Sequence, residues 1–274
     1  MIKIRQYDEV VRFDLARTLP GGWQYWTAAY LVDGMLVDTG CAYSAPELAQ
    51  MLVGKPLARI LNTHSHEDHI GANDLLQAQR GGLEICAHPL ALQVLTDPRR
   101  AQPLHPYRRL FWGWPKPSQG HAIADGLMIE TDHHRFHVIY TPGHSVDHLC
   151  LYEPEQGWLF TGDLFVGGKD RALRAGCDIW QIIASLKCVV NLPATRLFPG
   201  SAQIRDKPRQ EIQAKIHYLE DLGDRILQLH YKGWAIQAIV RKVCGGPMWV
   251  EFVTLGHFSR QNLVLSYLGM DIDP

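Results

Sequence analysis

The segment LNTHSHEDHIGA, Leu61–Ala72, decides how the rest of the chain is interpreted. Three histidines and two acidic residues fall between His64 and His69, directly behind an apolar run that is typical of a short buried strand. His66 is two residues after His64, so an extended chain presents both imidazoles on one face. Asp68 and His69 follow where a helical pattern begins, and they can turn toward the same point. Imidazoles and a carboxylate around one point are ligands that zinc and similar divalent metals prefer, so the segment predicts a metal site.

The composition is that of an ordinary globular protein. The 274 residues are 46% hydrophobic and 20% charged, which suffices for one large domain with or without an appendage. A formal net charge of −1 argues against a general attraction to nucleic acid or to an anionic membrane. The first residues, MIKIRQYDEV, carry charges where a signal peptide is apolar, and no apolar run approaches the roughly 20 residues of a membrane span. The six cysteines include no CxxC pair, which favours a reduced, cytoplasmic protein.

Strand and helix patterns alternate in the larger part of the chain, and helical patterns alone follow. Residues 27–40, TAAYLVDGMLVDTG, predict two strands around an Asp-Gly turn. From Pro208 onward, three successive segments have helical periodicity only. The order predicts an α/β domain over residues 1–205 and a helical C-terminal subdomain over residues 206–274.

Three further acidic or histidine residues also follow strand-like apolar runs. Asp38 ends MLVD, His144 follows IYTPG, and Asp163 ends WLFTGD. Because a sheet presents the residues that follow its strands at one rim, these side chains can converge with the histidine motif. One such residue alone is more often a turn residue or a helix cap, but three of them beside the motif favour a shared site.

The order of these residues resembles that of the metallo-β-lactamase superfamily of metallohydrolases, over roughly residues 25–200. The resemblance implies a four-layer αββα sandwich with the metal site at one rim of its sheets, and the C-terminal helices resemble the appendage of many superfamily thioesterases. It implies the following ligands: His64, His66 and His144 for a first metal, Asp68 and His69 for a second, and Asp163 as the bridge between them. Asp38 resembles the family's acidic residue that does not bind the metal itself but supports the residues that do. One or two zinc ions are expected, with iron or manganese as alternatives.

The last motif of the family is different here. A histidine on a late strand completes the second metal site in the family, and Ser201 stands at the matching place in this chain. A serine hydroxyl is a poor zinc ligand, so three interpretations stay open. The protein holds one tight and one weak metal, or another residue such as His148 or His257 substitutes, or the site has become a binding pocket. A structural role is the simpler interpretation of both histidines.

Two local features are candidates for substrate binding. Residues 101–121, with four prolines and four large aromatic residues, predict a long irregular insertion in which Trp112 and Trp114 lie beside arginines, a combination that suits an acyl group with an anionic end. Lys169 and Arg171 follow Asp163 closely and suit a carboxylate or phosphate. Burial of the aromatic residues against the appendage or a second subunit, and a solvated basic loop, are the alternatives. Aromatic and basic residues also line single-strand nucleic-acid grooves, but the net charge argues against that function.

The residues and the resemblance together predict a metal-dependent hydrolase that cleaves a carboxylic thioester, ester or lactone through a metal-bound hydroxide. Asp68 is the expected catalytic residue, because its carboxylate can orient that hydroxide. A phosphodiesterase is an alternative, and Ser201 keeps open a catalytically weakened protein with a ligand-binding or regulatory role. The expected partner is a small molecule, in particular an anionic one, and a homodimer is the default assembly.

Overall fold

The structure, a computed structural model, describes residues 1–19, 21–201, 203–246 and 248–270. Part of the predicted C-terminal subdomain, including residues 271–274, therefore lies outside the described residues. The chain divides into two compact units, with the following bounds: Met1–Tyr140, Asp147–Val166 and Ala194–Asp206 for the first, and Thr141–Val146, Gly167–Pro193 and Lys207–Pro274 for the second. The second unit thus includes segments that precede the boundary predicted at residue 205, and independent folding of the two predicted domains stays a prediction.

The described residues form the following strands: β1 Ile2–Tyr7, β2 Val10–Leu15, β3 Thr27–Val32, β4 Met35–Val37, β5 Arg59–Leu61, β6 Glu84–Ala87, β7 His121–Ala122, β8 Met128–Glu130, β9 Arg135–Tyr140, β10 Leu149–Glu153, β11 Trp158–Gly162, β12 Leu173–Arg174, β13 Arg196–Pro199 and β14 Phe258–Ser259. Their α-helices are α1 Ala45–Met51, α2 Asn73–Gln79, α3 Leu92–Thr96, α4 Pro98–Ala101, α5 Pro106–Phe111, α6 Ile179–Val189, α7 Pro208–Tyr231, α8 Ile236–Ile239, α9 Trp249–Val253 and α10 Arg260–Tyr267. A π-helix, Val240–Cys244, follows α8.

Two mixed sheets lie in the first unit. The larger has the order β1 to β7 and changes from antiparallel to parallel pairing at β4. The smaller has the order β13-β11-β10-β9-β8, and only its β11–β13 pair is parallel. Since β4 and β5 run in parallel with Val37 opposite Leu61, the residues that follow both strands emerge at the same rim. The histidine motif begins at that rim, as the sequence predicts.

The pattern of β3 shows why the larger sheet is buried on both faces. Ala28, Tyr30 and Val32 belong to the core between the two sheets, whereas Ala29 and Leu31 belong to a second core that also contains side chains of α1, α2 and α3. Successive strand residues point to opposite faces, so a strand with two buried faces has a continuous apolar sequence. A helical layer and two sheets therefore stack within the first unit, which agrees with the predicted α/β class.

The second unit is mainly helical. Its helices are joined by polar contacts, such as the bond that the Tyr267 hydroxyl donates to the Leu219 carbonyl oxygen at 2.6 Å. The 1% exposed Lys215 on α7 forms an ion pair with Asp170 at 2.9 Å. No helix among the described residues is long and apolar enough to cross a membrane.

Two local predictions can be compared directly with the structure. The Asp-Gly hairpin is confirmed: Asp33 and Gly34 join β3 to β4 with φ values of 44° and 76°, the left-handed region that this type of turn requires. The prediction that residues 101–121 are irregular is wrong in part, because α5 forms within this segment. A proline in the first turn fixes the backbone angle that a helix start requires, and this favours helix where the sequence suggests a breaker.

Gly71, in the histidine motif, lies too close to the backbone of the loop after β4 for any side chain. A Cβ atom there would lie 2.2 Å from the carbonyl carbon of Cys41 and 2.3 Å from the nitrogen of Ala42. We expect Gly71→Ala to lower the free energy of unfolding in urea by more than the about 1–3 kcal/mol of ordinary overpacking, because backbone has to move. Gly81→Ala is the matched control, since its Cβ would meet nothing within 4 Å. Equal stability of the two variants would contradict this packing.

Candidate metal centre

Asp38 connects the two strands on which the site is built. It follows β4 in a left-handed backbone conformation with a φ of 60°. Its Oδ1 accepts a hydrogen bond from the Thr63 amide at 2.7 Å, and its Oδ2 accepts from the Thr63 hydroxyl at 2.8 Å and from His69 Nδ1 at 2.7 Å. The carboxylate is buried, and these donors offset the cost of removing it from water. Because a carboxylate only accepts, the third bond places the proton of His69 on Nδ1.

The other ring nitrogen of His69, Nε2, faces two carboxylates. His69 Nε2 is buried, donates no hydrogen bond to any described residue, and lies 3.6 Å from Asp163 Oδ2 and 3.9 Å from Asp68 Oδ2. Burial lowers the pKa of His69, but the charges of Asp38, Asp163 and Asp68 outweigh it and raise that pKa well above its ordinary value. The arrangement attracts a positive charge to the point between these atoms.

The spacing of these atoms fits a divalent cation better than direct hydrogen bonds. Two ligand atoms about 2.1 Å from a tetrahedral ion lie about 3.4 Å from each other, close to the His69–Asp163 distance and beyond the range of a good hydrogen bond. Ligand atoms of His64, His69 and Asp163 all lie within 4.8 Å of one another, and all three residues are buried. Nitrogen and carboxylate oxygen atoms are the donors that zinc, iron and manganese accept.

The histidines at the end of β5 are oriented through Thr63. Its hydroxyl donates to Asp38 and lies 3.0 Å from His64 Nδ1, so it accepts the proton of that nitrogen. His64 Nε2 is therefore the nitrogen that is available to the predicted metal site. The ring of His64 lies 4.4 Å from that of His66 and 4.0 Å from that of His69, between centroids. The structure thus brings the three histidines of the motif together, as predicted from their spacing.

Ser201 contacts Asp163 from the side of β13. Its hydroxyl donates to Asp163 Oδ1 at 3.1 Å and leaves Oδ2 toward His69. Gly200 allows this approach, because a Cβ there would lie 2.7 Å from both Asp163 Oδ1 and His69 Cε1. Ser201 therefore holds a carboxylate that belongs to the cluster.

His148 has a structural contact of its own. Its Nε2 accepts a hydrogen bond from the Asp163 amide at 3.2 Å. Burial lowers the pKa of His148 to about 4, so the ring is neutral and can accept. Since this contact uses the Nε2 lone pair, the structure favours the structural interpretation of His148 over that of a substitute ligand. His257 lies in the second unit, where its carbonyl oxygen accepts from Ala175.

A buried ion pair that the sequence analysis missed attaches the insertion to the motif. Arg108 on α5 donates two hydrogen bonds to Glu67, from Nε at 2.6 Å and from Nη2 at 2.5 Å. Glu67 is 0% exposed and Arg108 is 6% exposed. Burial raises the pKa of the adjacent Asp68. The charges of His69 and Arg108 lower this pKa, whereas those of Glu67 and Asp163 raise it further. The sequence shows Glu67 as an acidic residue within the histidine motif. It does not show the partner of Glu67, because Arg108 lies 41 residues away.

Tyr25 is the second residue that the sequence analysis missed. Burial, followed by the charges of Asp163 and Asp68, raises the pKa of its phenol, and a hydrogen bond with Ser201 lowers it. Tyr25 is 43% exposed overall. The predicted substrate residue Trp112 packs edge-on against Tyr25 with centroids 5.4 Å apart.

Trp114 lines another cavity of the first unit, and the basic residues predicted to contact substrate belong to the second unit. Trp114 lines a separate surface cavity of about 320 Å³ in the first unit. Lys169 and Arg171 belong to the second unit, where Lys169 Nζ lies 5.6 Å from the ring centre of Tyr218. His144 also belongs to the second unit, and its carbonyl oxygen accepts from Cys177 Sγ at 3.1 Å. The roles predicted for these four residues stay predictions.

Comparison with known proteins identifies the family. The sequence profile described as "Metallo-beta-lactamase superfamily" matches residues 27–201. This chain belongs to the metallo-beta-lactamase superfamily. The match confirms the resemblance and includes the predicted metal ligands and Asp38.

Two curated relatives carry hydrolase names. Hydroxyacylglutathione hydrolase of Legionella pneumophila (strain Paris) is 35% identical over 177 residues, which are 63% of this chain and 59% of the relative. Atrochrysone carboxyl ACP thioesterase of Aspergillus fumigatus is 26% identical over 160 residues, which are 58% of this chain and 43% of the relative. The chain thus spans less than two thirds of the length of these relatives.

A solved structure supports the fold. A metallo-beta-lactamase family protein from Thermus thermophilus has a TM-score of 0.71 at 19% identity, and the match covers 96% of this chain and 94% of that chain. At this identity the likeness concerns the fold alone. The predicted fold class, a metallo-β-lactamase fold with a C-terminal helical region, is confirmed.

The hydrogen bonds of Asp38 generate a first prediction for the site. We expect Asp38→Asn to lower the affinity for zinc about 10–100-fold, because an amide presents a donor to the N–H of His69 and removes the charge that orients the ring. Competition with a chromophoric chelator measures this affinity. Asp132→Asn is the control, since Asp132 is exposed and outside the cluster. Equal zinc affinity of both variants would show that Asp38 does not organise the ligands.

The Glu67–Arg108 pair generates a second prediction. We expect Arg108→Met to lower the free energy of unfolding by about 3–5 kcal/mol, because it leaves the buried Glu67 carboxylate without a partner. The double variant Glu67→Gln/Arg108→Met should recover part of this loss, since no charge is then left buried. Arg109→Met, which changes the exposed neighbour, is the control in urea unfolding. The ion pair would have no structural role if Arg108→Met were as stable as this control.

Proposed function

We propose that this protein is a metal-dependent hydrolase that cleaves a carboxylic thioester, ester or lactone. The observation that carries the proposal is the buried cluster in which His69 Nε2 faces the carboxylates of Asp68 and Asp163 at 3.9 Å and 3.6 Å. The hydrolase and thioesterase names of the relatives support this class of reaction, and we propose a thioester first.

Two metal positions follow from the proposal. Asp68, His69 and Asp163 would hold one ion, and His64, His66 and His144 would hold the other. Two contacts near His144 support its place in this set. The Ser65 amide donates to Asp147 Oδ2 at 2.8 Å, and the Leu149 amide donates to the Thr63 carbonyl oxygen at 2.7 Å. The segment that begins three residues after His144 therefore runs along the motif. Zinc suits this mixed set of ligands, with iron or manganese as the alternatives.

The chain's own side chains have distinct roles in the proposed reaction. A divalent ion in the cluster supplies Lewis-acid polarisation of the carbonyl and lowers the pKa of a bound water. Asp68 Oδ2 orients the attacking water and accepts its proton, since this oxygen faces the same point as His69 Nε2. Asp38 keeps the proton of His69 on Nδ1, so that Nε2 stays a ligand throughout.

The aromatic side of the site suits an acyl group. Tyr25 and Trp112 pack edge-on, and Tyr107 lies 6.2 Å from Trp112 between ring centroids. Trp112 Nε1 is buried and donates no hydrogen bond to any described residue. The three rings can exclude water from an acyl chain that binds beside them. A small anionic substrate, a cytoplasmic location and a homodimer remain predictions from the sequence.

One observation favours a second candidate function. Ser201 occupies Asp163 Oδ1, so one oxygen of the proposed bridging carboxylate is already engaged by a hydroxyl. A weakened second metal position is compatible with a ligand-binding or regulatory protein that retains the fold without efficient turnover. A phosphodiesterase remains the other enzymatic alternative.

Asp68→Asn tests the enzymatic proposal. We expect it to lower kcat/KM on a thioester at least about 100-fold, because an amide cannot accept the proton of the attacking water. The wild type and the Asp132→Asn control should retain activity. Steady-state kinetics on a panel of thioesters, lactones and phosphodiesters, with metal content and circular dichroism measured on each variant, checks this.

The panel also separates the alternatives. Turnover of phosphodiesters alone would replace the thioester with a phosphodiester substrate. A folded, metal-loaded wild type that turns over none of the compounds would contradict the hydrolase and favour the binding protein. Full thioester activity of Asp68→Asn would remove Asp68 from the reaction.

A further inference from the structure

A small cavity in the second unit is lined by three polar side chains, one of them an arginine, and by three apolar side chains. Its volume is about 200 Å³, and its lining residues are Arg171, Tyr218, Leu222, Val243, Cys244 and Leu263. Pockets for drug-sized ligands measure about 300–1,000 Å³, so this one suits a small ligand or a single group of a larger one. All the lining residues belong to the second unit.

Two further arginines lie beside this cavity. Arg225 follows Leu222 by three positions on α7, and Arg260 precedes Leu263 by three positions on α10, so each shares a helix face with a lining residue. A Cβ on Gly245, the residue after Cys244, would lie 3.6 Å from Arg260 Nη1. Two further guanidinium groups thus lie on elements that line the cavity beside Arg171.

The electrostatics of the lining groups agree with this placement. Burial raises the pKa of Tyr218, and the charges of Arg171 and Arg225 lower it. Burial also raises the pKa of Cys244, and the charges of Arg260 and Arg225 lower it.

The acidic residues near the lining groups, Asp170 and Glu251, form no ion pair with these arginines. Among the described residues, Arg171, Arg225 and Arg260 form no salt bridge. Asp170 is paired with Lys215 at 2.9 Å, and Glu251 Oε1 accepts from the backbone amide of Arg260 at 2.9 Å rather than from its guanidinium.

Arg260 has donors that no described residue uses. Its Nε and Nη1 atoms are buried and make no hydrogen bond within the described part of the chain. A buried guanidinium donor without an acceptor costs free energy, so this arrangement calls for an acceptor that is not part of the protein. An anion beside Arg260 supplies one.

The two sides of the cavity are held together by a short ribbon. Leu173 of β12 pairs with Ser259 of β14, and the Ala175 amide donates to the His257 carbonyl oxygen at 2.7 Å. Ser259 directly precedes Arg260, and its hydroxyl accepts from the Asn262 amide at 3.1 Å. The loop of Arg171 and the start of α10 are therefore fixed relative to each other, which lowers the entropic cost of binding between them.

We propose that this cavity binds a phosphate group, either free phosphate or the terminal group of a small phosphate monoester. Guanidinium groups match phosphate oxygens in paired hydrogen bonds, and a dianion can accept from several of them at once, whereas a carboxylate has two oxygens only. The nearby Lys169, which stacks on Tyr218, adds a further positive charge. The proposed site uses residues of the second unit alone, and it goes beyond the hydrolase function.

Alkylation of Cys244 tests the proposal, because this thiol lines the cavity. The rate of its modification by iodoacetamide is followed by mass spectrometry in the 274-residue chain, with inorganic phosphate, glycerol 3-phosphate or chloride at equal ionic strength. The exposed Cys188 in the same unit is the internal control. At a ligand concentration about nine times the Kd, the unliganded fraction falls to about a tenth, so we expect Cys244 to react about tenfold more slowly. The rate of Cys188 should not change.

Two arginine variants and a charge-matched control complete the experiment. Arg171→Gln and Arg260→Gln should each raise the phosphate concentration required for protection at least about tenfold, since each removes charge-assisted hydrogen bonds. Arg241→Gln, on the π-helix Val240–Cys244, changes the net charge by the same amount and should leave the protection of Cys244 intact. Stronger protection by glycerol 3-phosphate would identify a monoester ligand, and stronger protection by inorganic phosphate would identify the free ion.

Absence of protection, or equal protection in wild type and both arginine variants, would overturn the proposal. If Cys244 does not react even in chloride, calorimetric titration of phosphate into wild type and Arg260→Gln decides instead. Equal affinities would then place phosphate elsewhere, for example at the metal centre, and reject this site. Loss of affinity in Arg260→Gln but not in Arg241→Gln would support it.

Discussion

The hydrogen bonds of Asp38 are the interaction on which the candidate site depends. One carboxylate at the end of β4 accepts from the amide and hydroxyl of Thr63 and from His69 Nδ1, and so joins the ends of two parallel strands to the histidine motif. The same contacts determine which nitrogen of His69 is available as a ligand, and through Thr63 they orient His64 as well. A charge that lies behind the ligands therefore controls both their geometry and their basicity. The left-handed backbone of Asp38 is the strained feature that makes this position reachable.

Ser201 affects the carboxylates of the candidate metal centre through a hydrogen bond. Its hydroxyl donates to one oxygen of Asp163, and Ser201 is also close enough to Tyr25 to lower the pKa of its phenol. The sequence resemblance predicts a histidine at the position of Ser201. In the proposed assignment, the second position would have two carboxylates and one imidazole from the first unit, a set with more oxygen and less nitrogen than the pattern that the resemblance implies. Such a set would bind its ion more weakly or exchange it more readily.

Part of this site could be predicted from the sequence because its signal is local. The spacing of His64, His66, Asp68 and His69 identifies the motif, and Asp38 and Asp163 stand out because each ends an apolar strand. Tyr25 and Arg108 could not be found in this way. Their contacts with Ser201 and Glu67 depend on how distant segments pack, and neither residue has a recognisable spacing. The helix α5 was missed for a related reason, since its prolines are breakers inside a helix but favourable at its start.

The metal content of the protein tests the central claim most directly. Elemental analysis of wild type and Ser201→His, purified without an affinity metal column and dialysed against metal-free buffer, gives the number of ions per chain. The account predicts at least about one tightly held divalent ion in the wild type. It also predicts a higher content in Ser201→His, because an added imidazole completes the second position. A folded wild type that retains no metal and takes up none when zinc is added would contradict the account.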